Sequence, residues 1–557
     1  MEGTTSAIGA TGEPAVSGKA LLLFFLSAAI LYFAVLGTMP LMDPDEGRYA
    51  EIPREMLASG DFVTPHLNGV VYLEKPPLYY WGCAAGMAAF GQNAFGARFF
   101  GAAMALLGVV LAWWMGCVLA GPRTALYSAA VLATSLFHYI IGRLNATDMT
   151  VGVMLVLAIF PAYLYLSGKR SSRGFLYLSF AGAALAFLAK GLIGMVFPAG
   201  ILVVWALVSG RPKAILKLLS PVGIAIFLAI ALPWVLLVQK ANPDFFRFFF
   251  IREQFQRFAT EKIHHRYQPF WFFLPIVLAG LLPWLLFAGR VGRAVRAAGA
   301  GFMAREDRIF LLTWVLFVLV FFSISSSKLV TYMTPLFPPL AVLFGRGLSV
   351  WADREDGAAP VLAPLAFALL LGAGLFAAPR LAKMPMSPDE WAPVIAPSVL
   401  IVLAFGVVPL FIRRLGAHRV VLVSFALLAL FLCSLNRPAG MLIGDGRSGK
   451  EFSEVLNAQL QPGDVLAQYQ VYSQSVPFYT GRRNVLVDEV GELEFGMRHA
   501  ADRAGWFLAP AAFDNLWRSE KRVFCIFKRD AMPLITEKYP VHRLLISSRR
   551  GILIVNR

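Results

Sequence analysis

The densest group of chemically capable side chains in this sequence begins at residue 43. Asp43, Asp45 and Glu46 place three carboxylates within four residues. Carboxylates this close repel one another, so such a group favours a cation, an arginine or a shared proton as its partner. Asp45, Arg48 and Tyr49 follow at helical spacing and share one face of a predicted helix. The cluster could serve acid–base or charge-stabilising chemistry. The alternative is a solvated loop that ends a helix.

A second polar group follows about 25 residues later in the same segment. Tyr72, Glu74 and Lys75 stand next to a Pro-Pro pair. A lysine ammonium at such a position could stabilise negative charge on a bound group. The alternative is a lysine that reaches up to the lipid headgroups. The flanking helical stretches, 45–58 and 78–89, are predicted to lie along a membrane surface.

Composition indicates what must position these groups. Of the 557 residues, 58% are hydrophobic and only 15% charged, against about a quarter charged in soluble domains. The mean hydropathy is +0.66. The net charge of +17 is concentrated in short loops between apolar runs, which indicates membrane orientation rather than nucleic-acid binding. About 13 transmembrane helices are predicted, at 20–38, 97–119, 124–141, 149–167, 174–189, 192–209, 216–238, 270–288, 308–325, 332–350, 360–378, 396–412 and 419–434.

The distribution of Lys and Arg predicts the orientation of these spans. Alternate short loops are rich in both residues, which places the N-terminus in the cytoplasm and, with an odd span count, the C-terminus outside. The predicted transmembrane domain covers 1–434 and includes two outer-face loops, 39–96 and 239–269. Residues 435–557 have soluble composition and an α/β pattern. Strands are expected at 464–470, 484–488, 522–528, 542–546 and 551–555, and helices at 451–460, 493–503, 511–520 and 531–538.

The run from Asp45 to Met56, followed by Glu74-Lys75-Pro76-Pro77, resembles the dolichyl-phosphate-mannose–protein mannosyltransferase-like group. Within that group it is most similar to the 4-amino-4-deoxy-L-arabinose transferases that modify lipid A. The resemblance implies a GT-C-type glycosyltransferase with a periplasmic C-terminal α/β domain. It further implies a monomeric multi-pass enzyme of the bacterial inner membrane. That enzyme would transfer the amino sugar from undecaprenyl phosphate to a lipid A phosphate and so confer resistance to polymyxin and other cationic peptides.

The resemblance also implies roles for individual residues. The catalytic carboxylate falls on Asp45, with Glu46 beside it. Residues of the family's other elements are expected to bind substrate: Arg48, Tyr49, Tyr72, Lys75, Asp148, Arg257, Lys328 and Tyr332. Arg257 lies in an aromatic and cationic loop in which the family's histidine is replaced by Gln254, so no role is transferred to Gln254.

Two charged residues near helix ends carry alternatives of their own. Asp148 stands just before a predicted span and could cap that helix instead of contacting substrate. Lys190 lies alone in apolar sequence, where a charge is costly and indicates a function. The alternative is a lysine that snorkels at a short turn between two helices.

A metal requirement is left open. Adjacent histidines do not share a helical face, so His264 and His265 alone form no compact metal site. Either of them with Glu74 could bind a divalent ion such as zinc across two loops and screen the phosphates. The resemblance itself implies no obligatory cofactor.

Three other functions compete with this one. A related enzyme could move a different polyprenyl-linked sugar, or transfer it to a glycan or protein. A polyprenyl-lipid transporter would have a similar span count, but no paired halves are evident and the candidate residues gather at one membrane face. A binding protein that used the C-terminal domain would not account for residues 43–81.

Overall fold

The computed structural model describes residues 16–256, 268–353, 362–381, 387–412, 417–440, 444, 446–540 and 542–557. These residues fall into two compact units. The first comprises Met1–Val35, Gly101–Leu236 and Phe246–Leu435, and the second comprises Leu36–Phe100, Leu237–Phe245 and Asn436–Arg557. The first outer-face loop, which the sequence analysis grouped with the spans, thus lies in the same unit as the α/β domain.

Each of the thirteen predicted spans coincides with a helix or a bent helix pair. The apolar helices are Gly18–Phe33, Ala94–Ala120, Pro122–Thr134, Leu136–Arg143, Thr147–Leu166, Gly174–Lys190, Ile193–Val208, Pro221–Ala241, Phe273–Gly280, Ala288–Ala298, Arg305–Ile324, Phe337–Asp353, Leu362–Leu381, Pro388–Ile412 and Ala417–Ser434. Over the described ranges, five helices are long and apolar enough to cross a membrane, and two bent pairs bring that number to seven. Shorter apolar helices, of 10–17 residues, include Gly18–Phe33, Gly174–Lys190 and Ile193–Val208.

Two segments predicted as straight spans are bent. The segment predicted at 124–141 breaks at Ser135, with an angle of 60° between its halves. The segment predicted at 270–288 bends by 83° around Pro283. Proline lacks the N–H that would continue the helix and its ring clashes with the preceding turn. Hydropathy alone does not report such bends.

Within the first unit, Thr147–Leu166 is a central helix. Nearly all of its residues are buried, and it packs against both Gly174–Lys190 and the 3₁₀ turn Val330–Leu336. This packing brings the start of Thr147–Leu166, the end of Gly174–Lys190 and the turn Val330–Leu336 close together.

The second unit contains a mixed six-stranded sheet. Its strands are β3 (Val465–Tyr469), β4 (Val485–Val487), β5 (Phe507–Leu508), β6 (Val523–Lys528), β7 (Arg543–Ser547) and β8 (Gly551–Val555), and β1 (His66–Leu67) and β2 (Val70–Val71) form a separate hairpin. The order is β5-β4-β3-β6-β8-β7, with β3 parallel to β4 and β6, and β8 antiparallel to β6. The predicted α/β pattern is confirmed, and the short strand β5 was not predicted.

Helices cover both faces of this sheet. Phe452 and Leu456 of Lys450–Gln459 pack on one face with Leu466 and Phe524. Pro510–Arg518 and Met532–Lys538 pack on the other face around Tyr469 and Phe527. The remaining α-helices of the domain, among its described residues, are Asn436–Ala439, Ser475–Thr480, Glu494–His499 and Arg503–Trp506. Successive side chains of a strand point to opposite faces of the sheet, so they pack into two different hydrophobic cores.

The helices of the first outer-face loop complete the second unit. Asp45–Ser59 continues through Pro53 and agrees with the helical stretch predicted at 45–58. It ends at Gly60, whose φ of 74° is the left-handed conformation that glycine adopts readily. Its buried face and that of Leu78–Phe90 pack with Phe478, Leu486 and Leu493 of the α/β domain. The helix that carries Asp45 is therefore held by the domain that follows it about 400 residues later in the chain.

Candidate active site

The three clustered carboxylates point in different directions, and each pairs with a different arginine. Asp45, the first residue of its helix, pairs with Arg48 at 3.2 Å, and its side chain remains 66% exposed. The carboxylate of Glu46 is buried and accepts hydrogen bonds from Arg98 Nε and Nη2 at 2.7 and 2.8 Å. Asp43 is buried and pairs with Arg550. This arrangement relieves the repulsion that the sequence indicates and leaves Asp45 as the accessible carboxylate of the three.

Glu46 is committed to holding the backbone that precedes the helix. Its carboxylate accepts a bond from the Met42 N–H at 3.0 Å, and Arg98 also donates to the carbonyls of Leu36, Met39 and Pro40. This geometry describes a structural ion pair. A direct catalytic role for Glu46 stays a prediction.

Arg48 is the centre of the polar site. Its Nε lies 2.9 Å from Glu492, Nη2 lies 3.2 Å from Asp45, and Nη1 donates to the Tyr72 hydroxyl at 3.2 Å. Burial raises the pKa of Glu492, while Arg48 opposes that rise. Arg48 therefore joins a buried carboxylate to an exposed one and fixes the orientation of both.

Glu492 is a site residue that sequence reasoning missed. It belongs to no recognised motif and reaches Arg48 only because it follows the carboxyl end of β4. Loops at the carboxyl ends of parallel strands commonly carry functional residues. That rule, applied to the predicted strand at 484–488, is the signal that could have identified it.

Tyr49 has a different environment from the one predicted. Although it shares a helical face with Arg48, its side chain is buried and its ring packs edge-on against Tyr79 and at a tilt against Tyr80. The Arg48 guanidinium lies 5.5 Å from its ring centroid, within cation–π range. Tyr49 therefore packs against Arg48. Substrate binding by Tyr49 stays a prediction.

Lys75 and Glu74 lie in the turn between β2 and the helix Leu78–Phe90. Lys75 Nζ donates to the Glu74 carbonyl at 3.1 Å, and both side chains are partly buried. The negative charge of Glu74 contributes to raising the pKa of both Tyr72 and Glu492, which places it in the same electrostatic environment as Arg48. The structure thus brings Asp45, Arg48, Tyr72 and the Glu74-Lys75 turn into one unit.

The metal hypothesis cannot be followed to its histidines. His264 and His265 lie outside the described residues, as does Arg257. In the part of the chain that the structure describes, no three His, Cys, Asp or Glu side chains are grouped so that they could hold a metal ion. The predicted Glu74–histidine site therefore stays a prediction.

The first unit has a polar group of its own. Asp148, in the first turn of Thr147–Leu166, forms an ion pair with Lys190, the last residue of its helix. The N-cap of that helix is Ala146, and Asp148 lies in its first turn. Lys190 Nζ also lies 5.1 Å from the centroid of the Tyr332 ring, and the buried Lys328 donates to the Ser325 carbonyl at 2.6 Å. Lys190, which seemed isolated in the sequence, has both an anionic and an aromatic partner.

A partly buried carboxyl near the end of the Asp45 helix makes stability depend on pH. Glu51 forms a bidentate pair with Arg54 at 2.6 and 2.7 Å, and Glu55 accepts the Gly69 N–H. Burial, and then the neighbouring Glu51, raise the pKa of Glu55 from 4.5 to about 8. The folded protein holds a proton here that the unfolded chain releases above its ordinary pKa, so stability falls as pH rises from about 4.5 to about 8.

We expect Glu55→Gln to flatten this dependence. The melting temperature of the wild-type protein in detergent should fall between pH 5 and pH 8.5, and that of the variant should fall less. At pH 8.5 the variant should be the more stable of the two. Glu454→Gln, at a side chain that is 68% exposed, is the matched control and should keep the wild-type slope. Equal slopes for the wild type and Glu55→Gln would contradict the assignment.

Comparisons with known proteins agree with this geometry. The family model for dolichyl-phosphate-mannose-protein mannosyltransferase matches residues 18–249, and the aminoarabinose transferase C-terminal domain matches residues 452–556. The undecaprenyl phosphate-alpha-4-amino-4-deoxy-L-arabinose arabinosyl transferase of Edwardsiella ictaluri is 32% identical over 88% of this chain and 90% of its own length. The enzyme of the same name from Aeromonas hydrophila is 31% identical over 96% and 98%. The chain belongs to this arabinosyl transferase family.

Solved structures extend the family relationship to the whole fold. The crystal structure of ArnT from Cupriavidus metallidurans bound to undecaprenyl phosphate matches with a TM-score of 0.82 and 27% identity, covering 97% of this chain and 99% of that one. The apo structure of the same protein matches with a TM-score of 0.80. The predicted GT-C-type membrane fold with a C-terminal α/β domain, and the prediction of a glycosyltransferase, are therefore confirmed.

The two family models cover residues of both polar groups. The match to residues 18–249 includes Asp45, Arg48, Lys75 and the Asp148–Lys190 pair. The match to residues 452–556 includes Glu492, in the domain that the sequence analysis found least informative. Both parts of the polar site in the second unit thus lie in segments that the family models describe.

Proposed function

We propose that this enzyme transfers 4-amino-4-deoxy-L-arabinose from undecaprenyl phosphate to a phosphate of lipid A. The main support for this proposal is membership in a family whose relatives are named for that donor and sugar. An accessible Asp45 carboxylate, fixed by a buried arginine, supports it.

In the proposed reaction an oxygen of the lipid A phosphate attacks the anomeric carbon of the sugar. The bond between that carbon and the undecaprenyl phosphate oxygen breaks, and undecaprenyl phosphate leaves with the bonding electrons. A phosphate is already a competent nucleophile near neutral pH, so Asp45 contributes mainly by orienting the attacking group and by electrostatics. Lys75 would stabilise the negative charge that the departing phosphate gains.

The location follows the same reasoning. The Lys and Arg distribution favours a cytoplasmic N-terminus and a periplasmic α/β domain in the bacterial inner membrane. Asp45 would then act on the periplasmic side, where both lipid substrates expose their phosphates. The added amine offsets phosphate charge, and the expected cellular consequence is resistance to cationic peptides.

Mass spectrometry of lipid A tests the proposal. Lipid A from cells that express this protein should carry the mass increment of one or two aminoarabinose groups, and lipid A from cells without it should not. Purified enzyme should consume undecaprenyl phosphate–aminoarabinose and leave a hexose-linked donor untouched. Consumption of a different sugar donor would favour a related glycosyltransferase. Movement of the donor across the membrane of vesicles that contain the protein, without product formation, would favour a transporter.

A further inference from the structure

The best-satisfied buried carboxylate of the second unit has no role in the reaction described above. Asp43, only 2% exposed, accepts hydrogen bonds from the Ser473 hydroxyl, from the Ser475 N–H at 2.7 Å and from the Ser475 hydroxyl at 3.0 Å. Arg550 Nη2 adds an ion pair at 3.1 Å. We call Ser473-Gln474-Ser475 the serine segment. It binds the residue two positions before Asp45.

The topology of the sheet explains why these groups meet. The serine segment lies beyond the carboxyl end of β3, and Glu492 lies beyond the carboxyl end of the parallel neighbour β4. Because β8 runs antiparallel to β6, Arg550 precedes β8 at the same edge of the sheet. Open α/β sheets bind ligands at this carboxyl edge. Here the edge is occupied by the chain's own first outer-face loop.

A glycine shows how closely the two parts approach. A Cβ at Gly47 would lie 2.5 Å from the Ser475 backbone nitrogen and 2.8 Å from the Gln474 carbonyl carbon. Both atoms belong to the backbone and cannot move aside cheaply. The first turn of the Asp45 helix therefore lies directly on the serine segment, and only glycine fits at position 47.

The serine segment also reaches the other side of Asp45. Gln474 Nε2 donates to Glu492 at 2.8 Å, Glu492 pairs with Arg48, and Arg48 pairs with Asp45. One tripeptide thus holds Asp45 from two directions: through Asp43 on the chain that precedes it and through Arg48 on the helix that follows it.

We propose that the serine segment and Arg550 form a positioning element for Asp45, so that the α/β domain takes part in setting the rate of the chemical step. Asp43 and Arg550 are positioning residues, because they act through the backbone that carries Asp45 and do not touch substrate. A misplacement of about 1 Å at a reacting group can cost on the order of 100-fold in rate. The inference rests on the proposed function, since it assumes that Asp45 acts in the transfer.

Two substitutions test the element in the full-length enzyme. Asp43→Asn removes the charge paired with Arg550, and Gly47→Ala changes no charge but forces the helix away from the serine segment. Each should lower kcat about 10- to 100-fold, with the KM for undecaprenyl phosphate–aminoarabinose changed less than about threefold. A loss confined to KM, or an unchanged kcat in both variants, would overturn the proposal.

A second buried aspartate–arginine pair of the same domain provides the matched control. Asp464 pairs with Arg522 at 3.4 Å beside the amino ends of β3 and β6, at the other end of the strands from the serine segment. Asp464→Asn should lower the melting temperature by a similar amount to Asp43→Asn but leave kcat unchanged. If kcat fell equally in both variants, the effect would be one of general stability and the proposal would fail.

A conservative exchange separates positioning from folding. Arg550→Lys should retain most of the kcat that Arg550→Met loses, because a lysine still supplies the cation for Asp43. Equal kcat values for these two variants would overturn the positioning role of Arg550. Failure of the proposed function would look different, because the wild-type enzyme itself would then not consume the aminoarabinose donor.

Discussion

Replacing Asp45 with asparagine is expected to lower kcat by about 10³-fold or more, because general acid–base and electrostatic contributions of one positioned group reach that size. The substitution keeps the shape of the side chain and one acceptor oxygen for Arg48, so the helix should remain folded. It removes the negative charge from the one carboxylate of the cluster that is exposed to incoming substrate. The measurement is the kcat of the purified enzyme with undecaprenyl phosphate–aminoarabinose and lipid A.

Asp502 offers a closely matched control. Its side chain is 57% exposed and pairs with a largely buried arginine, Arg483, at 2.6 Å, just as the 66% exposed Asp45 pairs with Arg48. Asp502→Asn should cost no more than about twofold in kcat, since exposed pairs contribute little to stability. The catalytic assignment would be wrong if Asp45→Asn turned over at a rate close to that of Asp502→Asn.

The parts of the fold that could be predicted are those that depend on local pattern. The apolar runs and the alternating strands of 464–555 both reflect interactions between residues close in sequence. The bends at Ser135 and Pro283 could not be placed in this way, because a proline or a break inside an apolar run leaves the hydropathy unchanged.

The site residues that could be predicted from the sequence are those that lie close to one another in the chain. Asp45, Arg48 and the Glu74-Lys75 turn lie within one loop and were identified together. Glu492, the partner of Arg48, and Arg550, the partner of Asp43, come from the α/β domain, more than 400 residues later. The sequence shows three carboxylates that repel one another but not that Arg98 neutralises Glu46 and Arg550 neutralises Asp43, because these two arginines are brought in by tertiary packing.

The buried position of Arg48 makes it the second residue with a large expected effect. Arg48→Lys should lower kcat at least about 100-fold, because a lysine is a single point charge and cannot hold Glu492, Asp45 and Tyr72 in fixed directions at once. Arg48→Met should be worse, since it also leaves Glu492, whose side chain is only 17% exposed, without its cation and so lowers stability. Both kcat and the free energy of unfolding should therefore fall.

A double variant separates the two effects. Arg48→Met combined with Glu492→Gln removes both charges, so it should recover much of the stability lost in Arg48→Met but none of the activity. Arg54→Lys is the control on the same helix. It weakens the bidentate pair with Glu51 and should lower stability without lowering kcat. If the double variant recovered activity together with stability, Arg48 would serve only to neutralise Glu492, and the orientation of Asp45 would have to come from elsewhere in the second unit.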